Sequence, residues 1–251
     1  VPGVTGTGVE TRPEAGAEAG RGLSPWDWTD VLLSVPVAVV LIGAIQLGLA
    51  VVTLPLMPQH DPELRTAITR FLSGLSLYAG VVGSVVLLVV GRRRARVSAL
   101  GWRPASTRWL LLAIPLALAG YVLVVIAGVI GNQLFPHAHN GQPQAVRDAF
   151  GHYQLLAVVA VSVIAPIAEE TFFRGFLFGW LRGRVPLWAA VMLSALVFSA
   201  AHAELALLIP IFVLGCLLAL VYEQSGSLLP GMVIHAVFNL IGVTLIFASG
   251  R

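Results

Sequence analysis

The 251-residue chain contains no lysine, and only 11% of its residues are charged. A soluble domain carries roughly 25% charged residues. This chain therefore lacks the polar surface that keeps a globular domain in water, which excludes a soluble enzyme, a disordered tail and a fibrous protein together. There is one cysteine, Cys216, inside an apolar run. It permits no intramolecular disulfide and cannot build a metal site alone, so a small core residue is its plain reading. No internal repeat is evident, and the inverted-repeat plan of many secondary transporters finds no support.

What the chain has instead is hydrophobicity: 57% apolar residues and a mean hydropathy of +0.89. A bilayer core of about 30 Å takes roughly 20 helical residues to cross. Apolar runs of that order follow one another at 31–59, 71–91, 109–136, 154–181, 187–202, 205–222 and 228–248. The expected fold class is all-α, a polytopic membrane helix bundle of about seven transmembrane helices. An eighth arises if the fourth run breaks at Pro166, because a proline removes a backbone hydrogen bond and kinks a helix. Residues 1–29 have no apolar period and none of the apolar core of a signal peptide. They read as a flexible cytoplasmic tail, with Trp26 and Trp28 placed as interfacial aromatics. Residues 30–150 hold the N-terminal transmembrane helices.

All fifteen basic residues are arginine. They cluster beside apolar segments, the pattern of cytoplasmic loops rather than of nucleic-acid binding. Arg92, Arg93, Arg94, Arg96, Arg103 and Arg108 follow the second run with no acid among them. Placing that connection inside puts the N-terminus inside too. Ten arginines then lie on the cytoplasmic side and four (Arg65, Arg70, Arg147, Arg251) outside, with Arg174 in the membrane. The expected location is an integral protein of the plasma membrane.

The last helices carry ionisable groups where the first three carry almost none: Glu169, Glu170, Arg174, His202 and His235. A charge at mid-bilayer costs about 2.5–3.5 kcal/mol on insertion scales, so each needs a partner or a function. Glu170 and Arg174 are i,i+4 with the acid first, the favoured order for pairing on a helix. Glu169 is rotated about 100° from Glu170 and is left free for chemistry. Glu169 and His202 lie equally far from the turn near Arg184–Pro186, so two antiparallel helices bring them to one depth. His235 and Asn239 share a face of the last helix, but His235 falls only about 15 Å from the turn before it. It therefore appears displaced in depth, and a tilted helix or inward loop is needed for it to join the others.

The run Glu169-Glu170-Thr171-Phe172-Phe173-Arg174-Gly175 resembles the EExxxR motif of the CPBP intramembrane proteases. These comprise the type II CAAX prenyl proteases and the bacteriocin-processing or self-immunity (Abi) proteins. Phe198-Ser199-Ala200-Ala201-His202 is similar to that family's FxxxH motif, and His235-Ala236-Val237-Phe238-Asn239 to its HxxxN motif. Gly175 and the Ser225-Gly226-Ser227-Leu228 stretch also resemble it. The likeness covers roughly residues 150–247 and marks 151–249 as a catalytic core. It implies an intramembrane endopeptidase acting on a membrane-associated or lipidated peptide or protein, with the lipid bilayer as its other partner and no nucleic acid. Glu169 would be the general base and His202 would hold the water. By the same resemblance His235 and Asn239 would form an oxyanion hole, and Glu170 with Arg174 a supporting pair.

Members of that family are often described as metalloproteases, which implies a zinc site with Glu169, His202 and His235 as candidate ligands. The spacing argues the other way. No HExxH-type pair places two ligands on one helix, and His235 lies off in depth. No cofactor is the favoured expectation, with zinc the alternative. A bis-histidine haem protein leaves Glu169, Glu170, Arg174 and Asn239 unexplained. A proton-coupled transporter would also use buried acids. A non-proteolytic self-immunity or scaffold protein could keep the same motifs without turnover. His137 and His139 read as surface residues, Glu204 as interfacial, and Glu223 as a helix end near the head groups. Phe172, Phe173 and Phe176 read as packing.

Overall fold

A computed structural model describes residues 24–249. Most of the tail read at 1–29 thus lies outside the described residues. Among those residues the chain forms helices and no strands. We number them α1 (Trp28–Thr53), α2 (Pro62–Val86, continued by a π-helical turn at Leu87–Arg92), α3 (Thr107–Leu134), α4 (Gln142–Phe150), α5 (Gln154–Arg182), α6 (Leu187–Ala200), α7 (Leu208–Ser225) and α8 (Leu228–Ala248). Six are long and apolar enough to cross a membrane, and α6 is a shorter apolar helix. The protein is a polytopic membrane helix bundle.

The helix ends show why the runs begin where they do. Asp27 caps α1: its carboxylate accepts from Thr29 N at 2.9 Å and Asp30 N at 3.4 Å, while Asp30 accepts from Asp27 N at 2.9 Å. This is a capping box, which satisfies first-turn donors reciprocally. The Thr29 hydroxyl, with help from Arg93, holds the Asp27 carboxyl well below the usual carboxylate range. Asp61 caps α2 through Leu64 N at 2.8 Å, with Pro62 at the first helical position, where a missing N–H costs nothing. α2 therefore starts nine residues before the expected run at 71. Hydropathy registers only the apolar part of the helix, and Glu63, Arg65 and Arg70 occupy its first turns.

Helix α5 does not break at Pro166. The proline opens a short α-helical stretch, Ala165–Glu169, directly after a π-helical one, Ala160–Ile164. A wide i→i+5 turn leaves room for a ring that would clash with the carbonyl of an ordinary turn. The eighth helix is instead α4, in the connection between α3 and α5.

The two ends of the bundle differ in charge. At one end Arg92 and Arg93 pair with the fully buried Asp30 at 3.0 and 2.7 Å, and Arg184 Nη2 donates to Trp26 O at 3.2 Å. Ser227 Oγ donates to Arg103 O at 2.6 Å, tying the start of α8 to the same end. At the other end His152 N donates to Glu63 at 2.6 Å, and the Tyr153 hydroxyl to Asp61. Trp26 faces the protein interior rather than its surroundings. It is 1% exposed, stacks on Phe176 at 5.7 Å between ring centres and donates its indole N–H to Phe176 O at 3.1 Å. A buried indole needs such an acceptor. Trp28, by contrast, is exposed.

Between the ends, small residues let helices approach, as packing within a membrane requires. A Cβ on Gly215 of α7 would lie 2.9 Å from Ala195 Cβ and 3.0 Å from Ala195 Cα on α6. The α3, α7 and α8 helices pack about Ala113, Ala117, Leu214, Leu218 and Ile234. Overpacking such a seam costs about 1–3 kcal/mol. Gly215→Val is accordingly expected to lower the unfolding temperature of the purified protein in detergent, read by intrinsic fluorescence. An unchanged midpoint would show that α6 and α7 are not held at this separation.

Candidate active site

The polar groups converge where α5, α6 and α8 meet. Glu169 ends an α-helical stretch of α5, and Glu170 opens a nine-residue π-helical one, Glu170–Phe178. π-Turns are frequent at functional sites. His235 is not displaced in depth: its ring nitrogens lie 3.1 Å from Glu170 Oε1 and 3.6 Å from Glu169 Oε2.

Arg174 lies at the centre, 1% exposed. Its Nη1 is 3.3 Å from Glu170 Oε1, its Nη2 donates to Gly215 O at 3.2 Å, and its guanidinium sits 4.2 Å above the Phe198 ring. The cation is thus held by a carboxylate, a carbonyl and an aromatic face, the last by cation–π attraction. Glu170 also faces His235, with Oε1 at 3.1 Å from Nδ1. A carboxylate paired with Arg accepts, so Nδ1 of His235 carries the proton and Nε2 is directed at Glu169. That second separation is 3.6 Å to Glu169 Oε2, too long for a hydrogen bond.

Glu169 has a second partner that sequence reasoning missed. The Tyr78 hydroxyl on α2 donates to Glu169 Oε1 at 3.1 Å. The available signal was a polar-tipped aromatic within the otherwise apolar run at 71–91. Its spacing points to nothing on its own helix, because its partner is 91 residues away. His202 follows α6, and its Nδ1 is 2.9 Å from Phe198 O. A carbonyl can only accept, so Nδ1 is the donor and Nε2 is the free nitrogen. Asn239 Nδ2 donates to Val161 O at 2.8 Å, inside the first π-helical stretch of α5. One amide N–H is therefore committed to structure and the second is not.

Glu169, His202 and Tyr78 all line one cavity of about 410 Å³. Ala38 and Ile42 of α1, Leu77 of α2, and Phe172 and Phe173 of α5 form much of the remaining wall, which is largely apolar. Phe172 and Phe173 thus border the site, whereas Phe176 is buried against Trp26. Of the residues set aside, His137 and His139 are exposed. Glu223 lies in the last turn of α7, as expected, and is buried there in a pair with Arg182 at 3.2 Å. The zinc candidates fit a metal poorly. A catalytic zinc takes three protein ligands near 2.0–2.2 Å. Both ring nitrogens of His235 face carboxylates, and among the described residues no three His, Cys, Asp or Glu side chains are grouped to hold a metal ion.

Comparison with known proteins agrees with the motifs. Residues 151–241 match the family Type II CAAX prenyl endopeptidase Rce1-like, so the resemblance holds across the segment that carries all three motifs. The chain is 28% identical to the Putative membrane peptidase YdiL of Bacillus subtilis over 133 residues, 51% of this chain and 54% of that protein. It is also 28% identical to the Membrane-embedded CAAX protease MroQ of Staphylococcus aureus over 149 residues, 53% of this chain and 58% of that protein. An Uncharacterized 24.3 kDa protein of Escherichia coli is 28% identical over 50% of this chain and 61% of its own length. The chain spans little more than half the length of these relatives. No solved structure matches.

Breaking one side of a buried pair costs about 3–5 kcal/mol, because the stranded charge stays uncompensated. Glu170→Ala should therefore destabilise the protein strongly, and the double change with Arg174→Ala should recover part of that loss. Thermal unfolding of the two single variants and the double variant measures the coupling. Strictly additive losses would show that the pair is not a unit.

Proposed function

We propose that the protein is an intramembrane endopeptidase that hydrolyses a peptide bond of a membrane-associated or lipidated substrate. The observation that carries this reading is the apolar cavity bordered by a carboxylate and an imidazole from different helices. A water there can donate one proton to Glu169 and another to the free Nε2 of His202. Both groups accept, so the water oxygen is left electron-rich and directed into the cavity. Glu169 takes the proton as the water attacks the carbonyl carbon and later returns it to the departing amine, the usual double duty of a general base.

The developing oxyanion needs donors or positive charge. By the motif resemblance His235 and the uncommitted N–H of Asn239, one turn apart on α8, would supply it; neither lines the cavity, which His235 approaches through its contact with Glu169. Glu170 and Arg174 act behind this set, fixing His235 from its Nδ1 side. The reaction in this reading runs without a metal. The Arg-rich end faces the cytoplasm, as arginine bias directs, in a plasma-membrane protein.

Two outcomes test it. Glu169→Gln keeps the shape of the side chain but removes the base. Cleavage of membrane-inserted peptides by the purified protein should fall at least a hundredfold, roughly the minimum contribution of general-base catalysis, with the unfolding temperature close to that of the unaltered protein. Substantial turnover by the variant would remove Glu169 from this role, and no turnover by the unaltered protein on any membrane peptide would favour a scaffold or self-immunity protein. Activity should also survive dialysis against a strong chelator, with metal content checked by elemental analysis. Stoichiometric zinc whose removal abolishes cleavage and whose return restores it would overturn the metal-free mechanism.

A further inference from the structure

We propose that Tyr78 is a positioning residue for Glu169, so that the N-terminal helix pair completes the active site. The inference rests on the peptidase reading above and deepens it. The matched family segment begins at residue 151, and Tyr78 lies far outside it on α2.

The argument is a balance of forces on one carboxylate. Oε1 of Glu169 accepts from Tyr78 at 3.1 Å on the α2 side, and Oε2 faces His235 Nε2 at 3.6 Å on the α8 side. The terminal torsion of a glutamate is broad and soft, so the side chain alone does not fix where the carboxylate points. Arg174 draws it toward the buried cluster. Tyr78 supplies a directed donor on the opposite side, at the cavity wall. A hydrogen bond to a charged acceptor is among the stronger kinds. The phenol thus keeps the carboxylate turned to the cavity, where a water and a substrate would be, and leaves the second lone pair of Oε1 available to that water.

Tyr78 is set in place by the surrounding packing. Its neighbours Leu77 and Val81 form part of the same wall. Two residues on, Gly80 lets α1 approach so closely that a Cβ there would lie 2.4 Å from Ile42 Cγ1. Ile42 is itself a wall residue. The α1–α2 seam therefore fixes both the apolar wall and the Tyr78 hydroxyl directed across it.

The test is Tyr78→Phe, which keeps the ring and the wall and deletes only the donor. Loss of a hydrogen bond to a charged group corresponds to roughly a ten- to hundredfold drop in rate. That drop is expected in kcat, with KM changed less than about twofold, since the substrate-facing surface is retained. The carboxylate stretching band of Glu169, identified by its disappearance in Glu169→Gln, should shift in the infrared spectrum of Tyr78→Phe. Unchanged kcat and an unchanged band would overturn the proposal and leave Tyr78 a packing residue. A rise in KM with constant kcat would overturn it as well, making Tyr78 part of substrate binding only. The infrared readout is independent of turnover. A shifted band in a protein that cleaves nothing supports the contact while overturning the peptidase reading.

Discussion

The polar cluster of the C-terminal half is arranged around one buried cation. A guanidinium inside a membrane is costly unless its charge is compensated. Arg174 is compensated by Glu170, by the carbonyl of Gly215 and by the Phe198 ring; its Nη2 makes a hydrogen bond, whereas Nε and Nη1 are buried without one. Each contact ties α5 to itself or to another helix, α7 through Gly215 and α6 through Phe198. Glu170 passes the connection to α8 through His235. The residues of the site are therefore fixed by a network whose every member would be costly to leave alone, and a half-satisfied network of this kind would be worse than an apolar core.

Phe198 is the apolar counterpart of Arg174. It meets Phe173 at 5.0 Å, His202 at 5.0 Å and His235 at 5.8 Å between ring centres, each in edge-to-face geometry. One ring thus separates the two imidazoles and carries the cation on its face. It also places the acceptor for His202 through its own carbonyl. Its fixed orientation determines which nitrogen of His202 is free. The FxxxH spacing is then a physical requirement: an aromatic wedge, and one turn later the imidazole that the wedge's backbone orients.

The parts legible in the sequence were those governed by local periodicity or by charge cost. Apolar runs gave the membrane spans, and i,i+4 spacing gave Glu170 with Arg174. The misreadings have common causes. Hydropathy hid the charged first turns of α2. A short amphipathic helix, α4, carries too little apolar length to register. Trp26 matches the composition of an interfacial anchor, and only the three-dimensional position of Phe176 makes it a core residue. The depth of His235 was misjudged because it was counted along helices whose ends and turn types the sequence does not give: a nine-residue π-helical stretch follows Glu169 in α5, and α8 begins only at Leu228. Tyr78 could not be paired from sequence, since nothing near it in the chain identifies a partner on α5. The general lesson is that spacing reports contacts within a helix well and contacts between distant helices poorly.

The length of α6 has a consequence for the surrounding lipid. Its fourteen residues measure about 21 Å, some 9 Å less than a typical hydrocarbon core of about 30 Å. The chain turns back at Ala201–Glu204, with Ala203 in a left-handed conformation at φ 54°, and His202 sits in that turn. A hydrophobic mismatch of this size is relieved by thinning the bilayer or by letting water reach down to the turn. Either response shortens the distance between aqueous solvent and the imidazole. The thickness of the host membrane thereby becomes a determinant of how readily this cavity is wetted, and one protein placed in two bilayers would hold its imidazole at two different distances from water.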